Sequence, residues 1–142
     1  MKPGIVTNLE LCSGCWTCAA ACSVAYKLPD DTKQWWLTVK SVGDSSGAID
    51  EPAGAYPNFK LSWEPIMWPS CTLCPARTAR NLEPYCVWNC PNHARAYGDL
   101  DDPMSKISVA MKGYRDRGYK IYQLPDAGTT THVAAYYVEK PK

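Results

Sequence analysis

The sequence predicts an α+β fold of short strands and helices, built as two related halves with an insertion between them and an extension after them. Two groups of four cysteines, at 12–22 and 71–90, define the halves. Because 12 Pro and 9 Gly stand among 142 residues, long regular elements are not expected. This length suits one domain over residues 1–142. Its expected parts are a core at 4–28 and 70–100, an insertion at 29–69 and an extension at 101–142.

Strand and helix signals flank the first cysteine group and continue into the insertion. Residues 4–8 predict a short strand, and residues 18–27 predict a helix that ends before Pro29. In the insertion, residues 36–42 and 59–64 alternate between apolar and polar side chains, which predicts two strands. The Gly-, Ser- and Pro-rich stretch between these strands predicts a hairpin-like loop at 43–58.

The chain after the second cysteine group predicts three strands and one helix. Asp102 and Pro103 fit an N-cap followed by Pro at the first helical position, and the helix should stop at Gly118. One face of that helix should be apolar and should carry Ile107, Ala110, Met111 and Tyr114. The expected strands are 94–100, 119–124 and 132–139.

The absence of a recognisable targeting segment predicts the redox state of the cysteines. No apolar run near the N-terminus has the length of a signal-peptide core, and no stretch approaches the ~18 apolar residues of a membrane span. We therefore expect a cytoplasmic protein with reduced thiols and no direct membrane span. Eight cysteines in such a chain indicate metal ligands rather than disulfides. Export in the folded state, on a partner that carries the signal, is the alternative.

The spacing of the cysteines favours iron–sulfur clusters over zinc. The first group follows the pattern C-x2-C-x2-C-x3-C, and the second follows C-x2-C-x11-C-x3-C-P. Four thiolates could hold tetrahedral zinc, and a C-x2-C pair is the usual half of a zinc site. The first pattern, however, is the run of bacterial ferredoxins, in which the last cysteine ligates the other cluster. The sequence therefore predicts a bacterial-ferredoxin-like, pseudo-twofold core with two [4Fe–4S] clusters, and a structural zinc module is the less favoured alternative.

Exchange of the last cysteines between the groups assigns all eight ligands. Cluster one is expected to take Cys12, Cys15, Cys18 and Cys90. Cluster two is expected to take Cys22, Cys71, Cys74 and Cys86. The second group departs from the ferredoxin run because 11 residues, 75–85, separate Cys74 from Cys86.

Beyond the cysteines, the chain resembles the ferredoxin-like iron–sulfur subunits that accompany molybdopterin or tungstopterin oxidoreductases of the dimethyl sulfoxide reductase group. Their last cysteine motif is commonly followed by Arg-aromatic-Gly-Asp-Leu-Asp-Asp-Pro, and this chain has Arg-Ala-Tyr-Gly-Asp-Leu-Asp-Asp-Pro at 95–103. The resemblance covers 4–27 and 70–108. It implies a large pterin-containing catalytic subunit as partner, together with an upstream electron donor or acceptor. The chain departs from the family at 92–94, where Asn-His-Ala replaces the frequent Thr-Gly-Ala.

These observations predict an electron-transfer subunit that is not an enzyme on its own. The sequence has no nucleotide-binding loop and no Ser-His-Asp set, and the near-neutral charge of +1 argues against nucleic-acid binding. A free-standing, diffusible ferredoxin with two [4Fe–4S] clusters is the main alternative.

Several residues near the cysteines invite more local predictions. Backbone N–H groups at 13–14 and 72–73 are expected to donate hydrogen bonds to sulfur, and Gly14 fits either a simple turn or a close backbone approach. Of the two histidines, His93 is the candidate for a redox role, although a surface or packing role is the simpler interpretation. Shielding of the clusters from water is expected from three aromatic residues: Trp16, Tyr85 and Trp88. Solvated faces are expected for the arginines at 77, 80, 95, 115 and 117.

Overall fold

A computed structural model describes residues 2–42, 57, 62–68, 70–123 and 134–139, which form a mixed α+β fold. The strands are β1 (Pro3–Asn8), β2 (Leu37–Val42), β3 (Ser62–Met67), β4 (Arg95–Asp99), β5 (Lys120–Tyr122) and β6 (Ala134–Glu139). The helices are α1 (Thr17–Ala25), α2 (Pro75–Thr78), α3 (Tyr85–Trp88) and α4 (Lys106–Asp116). The α+β class is therefore confirmed. The predicted loop at 43–58 lies outside the described residues, apart from Pro57.

Four strands form one sheet in the order β4-β1-β6-β5. β1 pairs antiparallel with β4 and parallel with β6, and β6 pairs antiparallel with β5. The central position of β1 matters for the site, because this strand leads directly into the first cysteine group and β4 follows the last cysteine. The sheet therefore joins the two cysteine groups at one end.

The insertion contributes an antiparallel hairpin of β2 and β3. The Tyr137 hydroxyl donates to the Pro65 carbonyl at 2.5 Å, and the Tyr122 hydroxyl donates to the buried Glu64 carboxylate. Both tyrosines belong to the β5–β6 pair of the first sheet. The insertion is therefore bonded to the C-terminal extension through buried polar contacts.

Strand β3 ends three residues later than the predicted range of 59–64, and positions 59–61 of that range lie outside the described residues. Glu64, Pro65, Ile66 and Met67 are buried one after another. A strand buried on both faces has no polar alternation, so the pattern that ends at Glu64 could not predict its second half.

Helix α4 begins at Lys106, three residues later than predicted. The Asp102 carboxylate accepts a hydrogen bond from the Met104 N–H at 2.9 Å, so it closes a turn, and Ser105 is the N-cap that accepts from Ser108 N–H. Both residue types suit a cap, which is why the sequence did not separate them. The predicted apolar face is confirmed, since Ile107 and Met111 are buried, and Gly118 follows the helix with a φ of 80°.

The short helices α2 and α3, which follow Cys74 and surround Cys86, were not predicted, because four residues carry no periodic signal. Among the described residues, no helix combines the length and the apolar character needed to cross a membrane.

Candidate functional site

Two cavities lie between the cysteine groups and the insertion hairpin. The first, site one, encloses about 340 Å³ including space open to solvent. Its walls include four cysteines: Cys12, Cys15, Cys18 and Cys90. The second, site two, encloses about 350 Å³ on the same measure. Its walls also include four cysteines: Cys22, Cys71, Cys74 and Cys86.

Each site combines three cysteines of one group with one cysteine of the other. Cys90 reaches site one from the second group, and Cys22 reaches site two from the first group. Cys22 lies one helical turn after Cys18 on α1, with an alanine triplet between them. The structure thus brings the eight thiols together in the two predicted sets, while their role as ligands stays a prediction.

The loops that present the first cysteine of each group share one backbone conformation. Gly14 and Leu73 each lie two residues after that first cysteine, with φ of 68° and 62°. The backbone N–H of each acts on the sulfur that precedes it, because it opposes the burial that raises the pKa of Cys12 and of Cys71. Hydrogen bonds from these N–H groups to the sulfur of a bound cluster stay a prediction. Equal spacing and φ indicate that the two loops are equivalent.

Most of the thiols lie in surroundings that disfavour a negative charge in the free chain. Burial raises the pKa of Cys18 to about 11 and that of Cys22 to about 12. Burial also raises the pKa of Cys12, Cys71 and Cys86. Because a metal binds thiolates, loading these sites must release protons and must supply positive charge.

Cys15 differs from the other thiols because it is exposed. The Thr17 hydroxyl lies 3.2 Å from its sulfur and, with the Thr17 backbone N–H, lowers the pKa of this thiol. Site one therefore has one edge that faces solvent.

The insertion hairpin forms a wall of both sites. Val39 and Pro65 are a cross-strand pair that lines site one, and Leu37 and Met67 are a cross-strand pair that lines site two. These pairs are two residues apart on each strand, so they lie on the same face of the hairpin. One apolar face of the insertion thus covers both cysteine sites.

Aromatic side chains complete the cover. The Trp63 ring packs on Gly14, where an added Cβ would lie 2.3 Å from the ring. At site two, the centre of the Tyr26 ring lies 4.7 Å from the centre of the Trp36 ring and 6.3 Å from that of the Tyr85 ring. Trp16 lines site one, as expected for a shielding residue. The shielding expected from Trp88 is wrong, because this side chain is 59% exposed.

Trp88 instead contacts Arg77, a residue of the lengthened loop at 75–85. The Arg77 guanidinium lies 4.7 Å from the Tyr85 ring centre and 4.6 Å from the Trp88 ring centre. Its Nε donates to the Glu83 carbonyl at 2.6 Å. Arg77 is therefore not a solvated surface residue, and it ties the loop to the helix that carries Cys86.

Arg95 is the functional candidate that sequence patterns did not reveal. It was expected on a solvated face, but its side chain is 7% exposed and lines site one. Its Nε donates to the Thr7 hydroxyl at 3.2 Å, while Nη1 and Nη2 are buried with no hydrogen-bond partner among the described residues. A buried cation with unused donors fits a negatively charged ligand in this cavity. Two signals were available: its place in a predicted strand, five residues after the last cysteine, and its position at the start of the family-like segment 95–103.

His93 is exposed and is not among the residues that line either site. Its backbone lies in the left-handed region with φ of 50°, a conformation that costs a residue with a side chain about 1–2 kcal/mol. The family that this chain resembles frequently has glycine at this position. The histidine is therefore a strained turn residue.

We expect His93→Gly to raise the free energy of unfolding by about 1 kcal/mol, because glycine removes the strain at the cost of some unfolded-state entropy. The thermal unfolding midpoint of the loaded protein measures the effect. His93→Ala is the control, since it removes the imidazole and keeps the strain. If both variants shift the midpoint equally, backbone strain is not the cause.

Among the described residues, no three His, Cys, Asp or Glu side chains converge on a point where one metal ion would bind. The thiols stand around the two cavities instead.

Comparison with known proteins finds relatives that include iron–sulfur subunits of reductases. No family model matches it. It is 29% identical to the iron–sulfur subunit of an arsenate respiratory reductase from a Shewanella species, over 89% of this chain and 59% of the relative. It is 33% identical to a sulfite dehydrogenase subunit of Allochromatium vinosum, over 88% of this chain and 52% of the relative. It is also 33% identical to a Halobacterium salinarum protein provisionally named as a dimethyl sulfoxide reductase iron–sulfur subunit, over 78% of this chain and 37% of the relative.

The chain is similar to these three proteins, two of which are named as iron–sulfur subunits. The predicted resemblance to subunits of the dimethyl sulfoxide reductase group is thereby confirmed. The chain spans about half the length of the curated relatives that it matches.

Proposed function

We propose that this chain is an electron-transfer subunit that binds two [4Fe–4S] clusters and exchanges electrons with a separate catalytic subunit. The observation that carries the proposal is the pair of cavities, each lined by four cysteines drawn from both groups. The ligands at site one would be Cys12, Cys15, Cys18 and Cys90. The ligands at site two would be Cys22, Cys71, Cys74 and Cys86.

The ligand pattern and the charge of the two sites support clusters over a single ion. A zinc site is commonly built from C-x2-C pairs, whereas each site here takes three cysteines from one group and one from the other, as in two-cluster ferredoxins. The buried, unpartnered guanidinium of Arg95 suits a group with net negative charge. The equivalent loops at Gly14 and Leu73 support a ferredoxin-like, pseudo-twofold core within a single domain.

The protein residues have three tasks in this function. A bound [4Fe–4S] cluster supplies one-electron chemistry at a potential that depends on burial and on hydrogen bonds to sulfur. The cysteines hold the group, and the backbone N–H groups of Gly14 and Leu73 donate to ligand sulfurs. The hairpin face and the aromatic rings exclude water, which favours electron exchange over side reactions.

The names of the relatives, which are subunits of reductases and of a dehydrogenase, support a separate catalytic partner. We propose a large molybdopterin or tungstopterin catalytic subunit, with substrate chemistry confined to that subunit. A second redox partner would deliver or remove the electrons, and the cytoplasm is the proposed location.

We expect the native protein to contain about eight iron and eight acid-labile sulfide atoms per chain, because two [4Fe–4S] clusters hold that number. It should also give an EPR signal on reduction and co-purify with a large pterin-containing chain. Metal analysis, EPR spectroscopy and size-exclusion chromatography check these expectations. Zinc without sulfide would contradict the proposal, and a loaded chain that elutes as a small monomer from native extract would favour a diffusible ferredoxin.

A further inference from the structure

Arg95 is a buried cation whose charge is not balanced by any single neighbour described in the structure. The side chain is 7% exposed, and its Nε donates a hydrogen bond to the Thr7 hydroxyl at 3.2 Å. That bond fixes the guanidinium to the neighbouring strand β1, since Arg95 and Thr7 are directly opposed in the β1–β4 pair. Removing such a charge from water costs free energy unless an opposite charge compensates it.

Among the described residues, the groups that can compensate this charge include cysteines of both sites. Arg95 lines site one, and its Nη1 and Nη2 are the buried donors with no partner among the described residues. Its charge also acts on thiols of both sites, because it opposes the burial that raises the pKa of Cys12 and Cys18 in site one and of Cys71 and Cys86 in site two. The guanidinium therefore lies in the electrostatic range of both sets of ligands.

We propose that Arg95 is the shared counter-charge of the two clusters, with its free Nη groups as hydrogen-bond donors at site one. The inference rests on the proposed function, since it needs an anionic group at each site. A fixed positive charge stabilises the more negative, reduced state, so Arg95 raises the reduction potential of both clusters. At site one, which Arg95 lines, its Nη donors add to the effect of the charge, whereas at site two the charge acts alone.

A purely structural role is the competing explanation. Arg95 could act only as a tie between β4 and β1 through Thr7. In that case its replacement would lower stability and leave the potentials of correctly loaded clusters unchanged. Reduction potentials therefore separate the two roles.

The test compares Arg95→Gln and Arg95→Lys with Arg115→Gln, which removes the same charge from an exposed position on α4. Potentials are measured by EPR-monitored redox titration on protein whose iron and sulfide have been counted. For Arg95→Gln we expect both potentials to fall, at site one by at least a tenfold change in the one-electron equilibrium, which is about 59 mV. Arg95→Lys should keep most of the wild-type potentials, and Arg115→Gln should keep them fully.

The outcomes separate this inference from the proposed function. Wild-type protein without iron and sulfide would refute the proposed function itself. Fully loaded Arg95→Gln with unchanged potentials would overturn the role of Arg95 and leave the proposed function standing. If Arg95→Gln loads site two only, the potential of that cluster must still fall. Loss of both clusters in the Gln and Lys variants alike would also overturn the inference, because a tuning charge is not needed for folding.

Discussion

The double variant Cys15→Ala/Cys90→Ala should lose one cluster, whereas the double variant Cys15→Ala/Cys22→Ala should lose both. Cys15 and Cys90 line the same cavity although 74 residues separate them in the sequence, while Cys15 and Cys22 belong to one motif and line different cavities. We expect about four iron atoms per chain in the first double variant and close to none in the second, because a [4Fe–4S] cluster rarely survives the loss of a thiolate ligand.

The single variants supply the controls for this experiment. Cys90→Ala should give the same iron content and the same residual EPR signal as Cys15→Ala, and Cys22→Ala should leave the complementary signal. If each cluster were held by the four cysteines of one motif, the iron contents of the two double variants would be exchanged. In that case Cys15 with Cys22 would retain one cluster, and the exchanged assignment would be wrong.

Gly14→Ala should lower the free energy of unfolding by about 2–4 kcal/mol, which combines the strain of a left-handed alanine with the overpacking of a ring against a new methyl group. The added Cβ would lie 2.3 Å from the Trp63 ring, so the insertion would have to move away from the cysteine loop. The same movement would disturb the N–H donor to Cys12, and we expect a lower iron content.

Two other glycines separate the components of this effect. Gly118 has φ of 80° and open space where an added Cβ would lie, so Gly118→Ala should cost only the strain, about 1 kcal/mol. Gly113 lies in α4 in equally open space with no positive φ, so Gly113→Ala should stabilise the helix by up to about 1 kcal/mol. Thermal unfolding of the loaded variants measures all three.

A double-mutant cycle identifies the contact itself. In a Trp63→Ala background the ring is gone, and Gly14→Ala should then cost about as much as Gly118→Ala. An undiminished cost in that background would mean that the Trp63 contact is not the reason for glycine at position 14.

The parts of the fold that were predicted are those determined by local sequence. The strand before the first cysteine, helix α1 and the apolar face of α4 all follow from short-range periodicity and capping. The two cysteine sets could be grouped because the first group follows the bacterial-ferredoxin run, in which the last cysteine ligates the other cluster. The local sequence pattern was therefore enough to predict which thiols surround each cavity.

The parts that were missed depend on contacts between distant residues. Arg95 meets Thr7 across 88 positions, and nothing in either neighbourhood indicates a buried cation. Likewise, the strand pattern of the insertion does not tell that Val39 and Leu37 face two different cavities. Burial of a charge is a property of the assembled site, so no window of sequence contains it.

Strand β6 is the last strand of the four-stranded sheet to be synthesised, so the sheet cannot be complete before this strand emerges. All eight cysteines have been translated by residue 90, yet β1 gains its parallel neighbour only when residues 134–139 emerge. The ribosome needs a few seconds for these roughly fifty further residues at ~5–20 residues per second. Throughout that interval one edge of β1, the strand that supplies Ile5 and Thr7 to the two cavities, is unpaired. The sheet is therefore complete only after β6 has emerged, and a nascent chain stalled before that point would offer an open strand edge beside its eight thiols.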